Sequence, residues 1–141
     1  MLNVSTTTFR LFLHILAATV WVGGQIVLAG IVPTLRKHGG VEATRAVARR
    51  FQIIAWIAFG LLLITGIWNL LAVHVGNAST AYLATLFVKL LLVGIAAAGT
   101  IGHIVLTKTR PALGGALAGI SLLCAIAVVL LGVRLPSRYA A

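Results

Sequence analysis

Apolar residues are grouped along this chain into long runs, and short polar stretches separate them. The runs cover about residues 11–33, 51–73, 82–106 and 113–133. Each run supplies the roughly 20 residues that an α-helix needs to cross the hydrocarbon of a bilayer. The pattern therefore predicts an all-α integral membrane protein. We expect one domain over residues 1–141, in which four transmembrane helices form a bundle.

The composition supports this interpretation. Hydrophobic residues make up 61% of the chain and charged residues 9%, against roughly 25% charged residues in an ordinary soluble domain. A formal net charge of +10 raises the alternative of a nucleic-acid partner. However, the basic residues lie at helix ends and in connections, with no soluble fold to display them as a groove. The expected surroundings are thus a lipid bilayer, and nucleic acid is excluded.

The basic residues also predict an orientation. Those that lie between the first and second runs or between the third and fourth are Arg36, Lys37, Arg45, Arg49, Arg50, Lys108 and Arg110. The connection over residues 75–81 holds no charge. The positive-inside rule then places both termini outside, although Arg10, Arg134 and Arg138 argue for the reverse.

Glycine, serine and proline mark the connections. Gly39 and Gly40 should break the chain after the first helix, so that residues 41–50 form a short basic helix or an extension of the second helix. Ser79 or Thr80 is suited to cap the third helix, and Pro111 lies where a helix can begin.

Small residues are dense where the helices must approach one another, and close backbone packing is the first explanation for them. They include Ala17, Ala18, Gly23, Gly24, Ala98, Gly102, Gly115 and Gly119. The spacing of the last two is a GxxxG pattern, which could serve the bundle or a homodimer equally well.

Lys89 lies inside the third apolar run, and the only acidic side chain in the chain is Glu42. A charge at membrane depth costs roughly 2.5 to 3.5 kcal/mol and tends to face a bundle interior, a cavity or a ligand. We therefore interpret Lys89 as a functional candidate; the alternative is a side chain that snorkels outward along its alkyl stem. Since no predicted helix contains Asp or Glu, carboxylate-driven transport is not expected.

Histidines and aromatic residues recur at helical spacing around this lysine. Trp21 follows His14 by seven residues, which returns to nearly the same helical face. In the third run, residues also follow one another at intervals of seven, namely Tyr82, Lys89, Ala96 and His103. A stripe of this composition should face protein and not lipid.

The predicted topology places His14, His74 and Lys89 in one leaflet. Imidazoles suit copper, zinc, iron and haem iron, and a lysine could ligate or neutralise a haem propionate. We thus expect His14 and His74 as metal ligands. The alternatives are that His14 only bonds a neighbouring helix and that His74 is solvated beside a turn.

One segment resembles a known family. Residues 13–24, LHILAATVWVGG, resemble the first helix of copper-resistance protein D (CopD) domains, where a histidine is followed by a tryptophan and a glycine pair. Tyr82 seven residues before Lys89, and the later sequence RPAL at residues 110–113, are similar to the tyrosine, lysine and basic-Pro-Leu pattern of that family.

HemJ-type protoporphyrinogen oxidases share the histidine, tryptophan, glycine and lysine features. The resemblance covers nearly the whole chain and implies His14 and Lys89 as the cofactor-binding positions, with Trp21 and Tyr82 as supporting aromatic residues.

The leading hypothesis is a CopD-like protein of the bacterial inner membrane that handles copper or binds haem through an outward-facing site. Two other hypotheses remain open. One is a membrane redox enzyme with b-type haem, similar to HemJ. The other is an accessory subunit that packs into a homodimer or a larger membrane complex.

Overall fold

The computed structural model describes residues 5–72 and 78–134, and helices account for every regular element within them. The elements are α1 (Thr6–Ala18), a π-helical turn (Thr19–Gly23), α2 (Gly24–Leu71), α3 (Thr80–Leu106) and α4 (Pro111–Arg134). The all-α prediction is therefore confirmed for this part of the chain.

Three helical runs are long and apolar enough to cross a membrane: Thr6–Leu71, Thr80–Leu106 and Pro111–Arg134. Large apolar side chains point outward from them, with Ile57 and Leu123 each 69% exposed. An apolar outer surface of this kind suits hydrocarbon and not water. Length and composition together make this a helical membrane protein.

The described chain divides into two compact units, one ending at Val73 and the other running from His74 to Tyr139. In the first unit, α1 packs against the second half of α2. The backbone of Gly40 is not helical, with φ 72° and ψ −174°, a conformation that favours glycine. The break predicted at this position is confirmed, and residues 41–50 continue directly into the helical segment that follows.

Aromatic rings and alanines form the interior of this first unit. Trp21 is 5% and Phe59 8% exposed, and their ring centroids lie 4.9 Å apart. Trp56 meets Phe59 edge-on at 5.7 Å. Gly24 allows the ring of Phe51 to approach the backbone so closely that a Cβ there would lie 2.4 Å from Cε2. The contacts of Trp21 and Gly24 pack the turn after α1 and the start of α2 against the second half of α2.

The π-helical turn Thr19–Gly23 was not predicted. It contains Trp21, whose carbonyl accepts a hydrogen bond of 3.2 Å from the Gln25 side chain. The hydroxyl of Thr19 bonds the Ile15 carbonyl at 2.9 Å. Periodicity alone misses such a turn because it adds a single residue to an otherwise continuous helix.

The second unit is an antiparallel pair of α3 and α4. The Ser79 hydroxyl accepts from the Tyr82 backbone N–H at 3.2 Å, so the predicted cap of α3 is confirmed. Pro111 is the first residue of α4, as expected, because a helix start needs no N–H at that position. A bond of 2.7 Å from Arg110 N to Leu106 O closes the turn between the helices.

Hydroxyl groups connect α3 to α4 at mid-length. Ser121 is 1% exposed and donates to the Ala96 carbonyl at 2.7 Å. The oxygens of Thr100 and Ser121 lie 2.7 Å apart. These bonds satisfy polar groups that lipid could not satisfy.

Glycine brings the two backbones together at only some of the expected positions. A Cβ on Gly99 would lie 3.1 Å from the Leu117 carbonyl oxygen, and one on Gly102 would lie 2.8 Å from a Leu117 methyl. Around Gly23, Gly115 and Gly119, no described atom falls within 4 Å of such a Cβ. The GxxxG pair thus has no close contact with a described residue, and its role in the bundle or in a homodimer stays a prediction.

We expect Gly99→Leu to lower the free energy of unfolding by about 1–3 kcal/mol, because the side chain must displace the backbone of α4. Gly115→Leu is the matched control and should change it by less than about 0.5 kcal/mol. Denaturant titration of the detergent-solubilised protein measures both. Equal effects of the two variants would contradict the packing described.

Candidate functional site

His14 lies on the inner face of α1 and is half-buried. Its Nδ1 lies 2.7 Å from the Thr65 hydroxyl oxygen on α2. The ring also lies against Gly66, where a Cβ would be 3.6 Å from Cε1. A small residue at position 66 thus leaves room for the imidazole between the helices.

Thr65 holds the ring of His14 in place through this hydrogen bond. The Thr65 hydroxyl also lies 2.7 Å from the Leu61 carbonyl oxygen of its own helix. When the hydroxyl proton is donated to that carbonyl, the Thr65 oxygen accepts from Nδ1–H of His14, and Nε2 of the neutral ring then carries the lone pair. Histidines that bind metals are commonly held in this way, with the second ring nitrogen anchored by a hydrogen bond.

Trp21 lies further along the same pair of helices, buried against Phe59. Its described ring contact is with an aromatic side chain of the interior. It therefore supports the packing of the unit that holds His14.

Sequence reasoning missed two residues beside His14. Arg10 is 3% exposed, and its Nε and Nη2 have no hydrogen-bond partner among the described residues. The same holds for Oδ1 of Asn69. Arg10 precedes His14 by one helical turn and Asn69 follows Thr65 by one turn, so the antiparallel register places both at the next level.

This burial changes the interpretation of Arg10. By sequence alone, Arg10 is a flanking charge that opposes the predicted orientation. Its spacing of four residues from His14 was the available signal, since i and i+4 share a helical face. Only the position of α2 shows that this face is buried.

Lys89 belongs to the second unit and is half-buried. Its Nζ would lie 3.5 Å from a Cβ placed on Gly132, so the amine lies against the backbone of α4 near its last turn. Tyr82 is half-buried two turns earlier on α3. The lysine therefore faces the neighbouring helix, and the missing side chain at position 132 leaves room for the ammonium group.

The predicted stripe on α3 faces α4 from Lys89 onward. Ala96 is 0% exposed, and its carbonyl accepts from Ser121. Nδ1 of His103 donates to the Gly114 carbonyl at 2.8 Å. The expectation that this stripe faces protein is thus confirmed for these three positions.

The structure does not bring the predicted metal ligands into one described site. His74 lies outside the described residues, while His14 and Lys89 lie in different units. Within residues 5–72 and 78–134, no group of three or more His, Cys, Asp or Glu side chains could hold a metal ion. A His14 and His74 metal site stays a prediction.

We found no match for this chain among protein-family models, curated proteins or solved structures. The fold and the geometry therefore carry the functional argument. They define a helical membrane protein with an oriented histidine inside one helical pair and a half-buried lysine inside the other.

Thr65→Val should destabilise the protein by about 1–3 kcal/mol, because it leaves Nδ1 of His14 buried without its acceptor. Thr85→Val is the matched control, since Thr85 bonds only the Ala81 carbonyl of its own helix. We expect a much smaller loss there. Thermal unfolding in detergent compares the two variants, and a loss for Thr85→Val as large as that for Thr65→Val would contradict the role of the interhelical bond.

Proposed function

We propose that this is a CopD-like membrane protein that binds haem or a metal ion through His14. The observation that carries the proposal is the hydrogen bond between Nδ1 of His14 and the Thr65 hydroxyl, 2.7 Å long, which fixes the orientation of the ring between two helices. Gly66 leaves room for the imidazole there, since a Cβ at that position would lie 3.6 Å from Cε1.

Haem is the favoured ligand. A haem iron needs only one or two axial ligands from the protein, whereas a closed metal site needs three or four. His14 would supply one axial nitrogen, and Thr65 would keep its ring oriented. Lys89 belongs to the other unit, and its role as a ligand or as a cation for a propionate is what the resemblance to CopD domains implies. When bound, the haem would supply one-electron redox chemistry.

Copper handling is the second candidate, favoured by the resemblance of residues 13–24 to CopD domains. It would use His14 and His74.

An accessory role in a homodimer or a larger complex is a third candidate, and it is favoured by Gly115 and Gly119. Both lie exposed on α4 with no described neighbour, which leaves a small-residue face for another helix.

We infer four crossings of the bacterial inner membrane, with both termini outside. The non-helical backbone at Gly40 supports this count, because it divides the run Thr6–Leu71 into two segments that pack antiparallel. The exposed basic residues that follow Gly40 support a cytoplasmic position for this connection.

Single cysteines test this orientation in a Cys124→Ala background. Lys37→Cys should be labelled by a membrane-impermeant maleimide only after the membrane is opened. Ala78→Cys should be labelled on intact spheroplasts. The opposite pattern would reverse the topology, and equal labelling of both sites would remove a crossing.

The absorption spectrum of the purified protein, expressed with sufficient haem, tests the haem proposal. We expect a Soret band that sharpens on dithionite reduction. The band should be lost in His14→Ala and weakened in Lys89→Met. In Thr65→Val, the protein should bind haem about 10–100-fold more weakly. His38→Ala is the control, because His38 is exposed, and it should keep the band.

Three outcomes would contradict this assignment. A folded protein without a Soret band excludes haem, and metal analysis of the same sample then decides between copper and an accessory role. A band unaffected by His14→Ala excludes His14 as a ligand. Loss of the band in His103→Ala alone would move the ligand to the second unit.

A further inference from the structure

Arg10 is a charged side chain enclosed by the first unit. It is 3% exposed, and two of its nitrogens have no partner among residues 5–72 and 78–134. A guanidinium stays protonated in proteins, so Arg10 cannot lower the cost of burial by losing its proton. An uncompensated buried charge costs several kcal/mol.

No acidic side chain of this chain can compensate that charge. The sequence has one, Glu42, and its carboxylate pairs with Arg45 at 2.9 Å. The Glu42 side chain is 84% exposed, in the basic segment that follows Gly40. Within residues 5–72 and 78–134, no free carboxylate is therefore left to pair with Arg10.

The two orphaned nitrogens indicate the shape of a suitable counter-ion. Nε and Nη2 form one edge of the guanidinium, and their N–H bonds point in the same direction. This edge matches two oxygens of a carboxylate or phosphate in a bidentate pair. By helical spacing, Asn69 lies at about the same level of the helical pair. Its orphaned atom is the acceptor Oδ1, so a donor to the anion would have to be its NH2 group.

The position of Arg10 along α1 indicates the kind of molecule. It lies four residues after Thr6, or about 6 Å along the helix axis. Its neighbours Phe9 and Phe12 are 50% and 57% exposed, so the outer face of α1 at this level is apolar and suits lipid. The anionic groups of membrane amphiphiles lie at the interfaces of a bilayer, where the ends of membrane-spanning helices also lie.

We propose that Arg10, assisted by Asn69, binds the oxyanion of a membrane amphiphile one helical turn from His14. The anion is a carboxylate or a phosphate. It has two sources, the headgroup of an anionic phospholipid or the propionate of a haem. The proposal does not depend on haem binding at His14, because the phospholipid source needs no haem.

The test uses the full-length protein, delipidated in a neutral detergent. In one arm, dioleoylphosphatidylglycerol is titrated against the thermal unfolding midpoint, with dioleoylphosphatidylcholine as the lipid control. In the other arm, haem binding is compared with that of haem dimethyl ester, which lacks free carboxylates. The variants are Arg10→Gln, Arg10→Lys and the control Arg49→Gln, an exposed basic residue of α2.

The expected result is a selective effect of Arg10 in one arm. Phosphatidylglycerol should raise the midpoint of the wild type by several degrees at saturation, or haem should bind at least tenfold more tightly than its dimethyl ester. Arg10→Gln should lose at least tenfold in that affinity. Arg10→Lys should lose less, because a lysine keeps the positive charge but lacks the two parallel N–H donors of the guanidinium. Arg49→Gln should match the wild type.

Either arm identifies the source of the anion, and failure in both overturns the proposal. An arm fails if the wild type and Arg10→Gln bind the anionic ligand with equal affinity. It also fails if the wild type does not distinguish phosphatidylglycerol from phosphatidylcholine, or haem from its dimethyl ester. If Arg10→Gln does not fold, Arg10→Lys decides, since an affinity equal to that of the wild type would exclude the bidentate pair. A protein that binds no haem fails the proposed function, while the phospholipid arm still decides this inference.

Discussion

The shortage of acidic side chains is the constraint on which the rest of this protein depends. With a single carboxylate side chain outside the apolar runs, no buried basic or polar group can be neutralised by an internal ion pair. Within the described chain, several polar groups of the interior instead bond hydroxyls and backbone carbonyls, whereas Arg10 keeps two nitrogens without a described partner. Thr65 bonds His14 and Leu61, Ser121 bonds Ala96, and His103 bonds Gly114. The bonds of His14, Ser121 and His103 join two helical segments, and the bond from Thr65 to Leu61 stays within α2.

The two helical pairs use different means to bring backbones together. In the pair of α3 and α4, Gly99 and Gly102 allow close approach, and the Ser121 hydroxyl then reaches a carbonyl on the facing helix. In the first unit, the rings of Trp21 and Phe59 lie in the interior, and Gly24 at the start of α2 allows the Phe51 ring to approach the backbone. Both pairs hold an imidazole, since His14 bonds Thr65 in the first and His103 bonds the Gly114 carbonyl in the second.

Much of the fold could be predicted because membrane crossing depends on local composition. The apolar runs, the Ser79 cap, the start at Pro111 and the break at Gly40 follow from properties of a few adjacent residues. The GxxxG pair shows what a local pattern leaves open, namely which face of a helix meets its neighbour. Gly115 and Gly119 have the spacing of a packing motif, yet the face that meets α3 is chosen by the rotation of α4, which places Gly114 and Ser121 there instead. Rotation is a property of a pair of helices, and spacing within one helix does not specify it.

The candidate site, like the fold, was predicted from the sequence only in part. From residue types alone, His14 and Lys89 stood out because charged and imidazole side chains are rare in apolar runs and costly at membrane depth. By itself, then, the sequence determined the class of protein, the approximate helices and two of the residues to be explained. Only the tertiary structure decided the partner of His14, the position of Lys89 against the α4 backbone at Gly132, and the burial of Arg10. The physical reason is that a hydrogen bond or a buried charge requires two segments distant in the chain, and their register arises from packing.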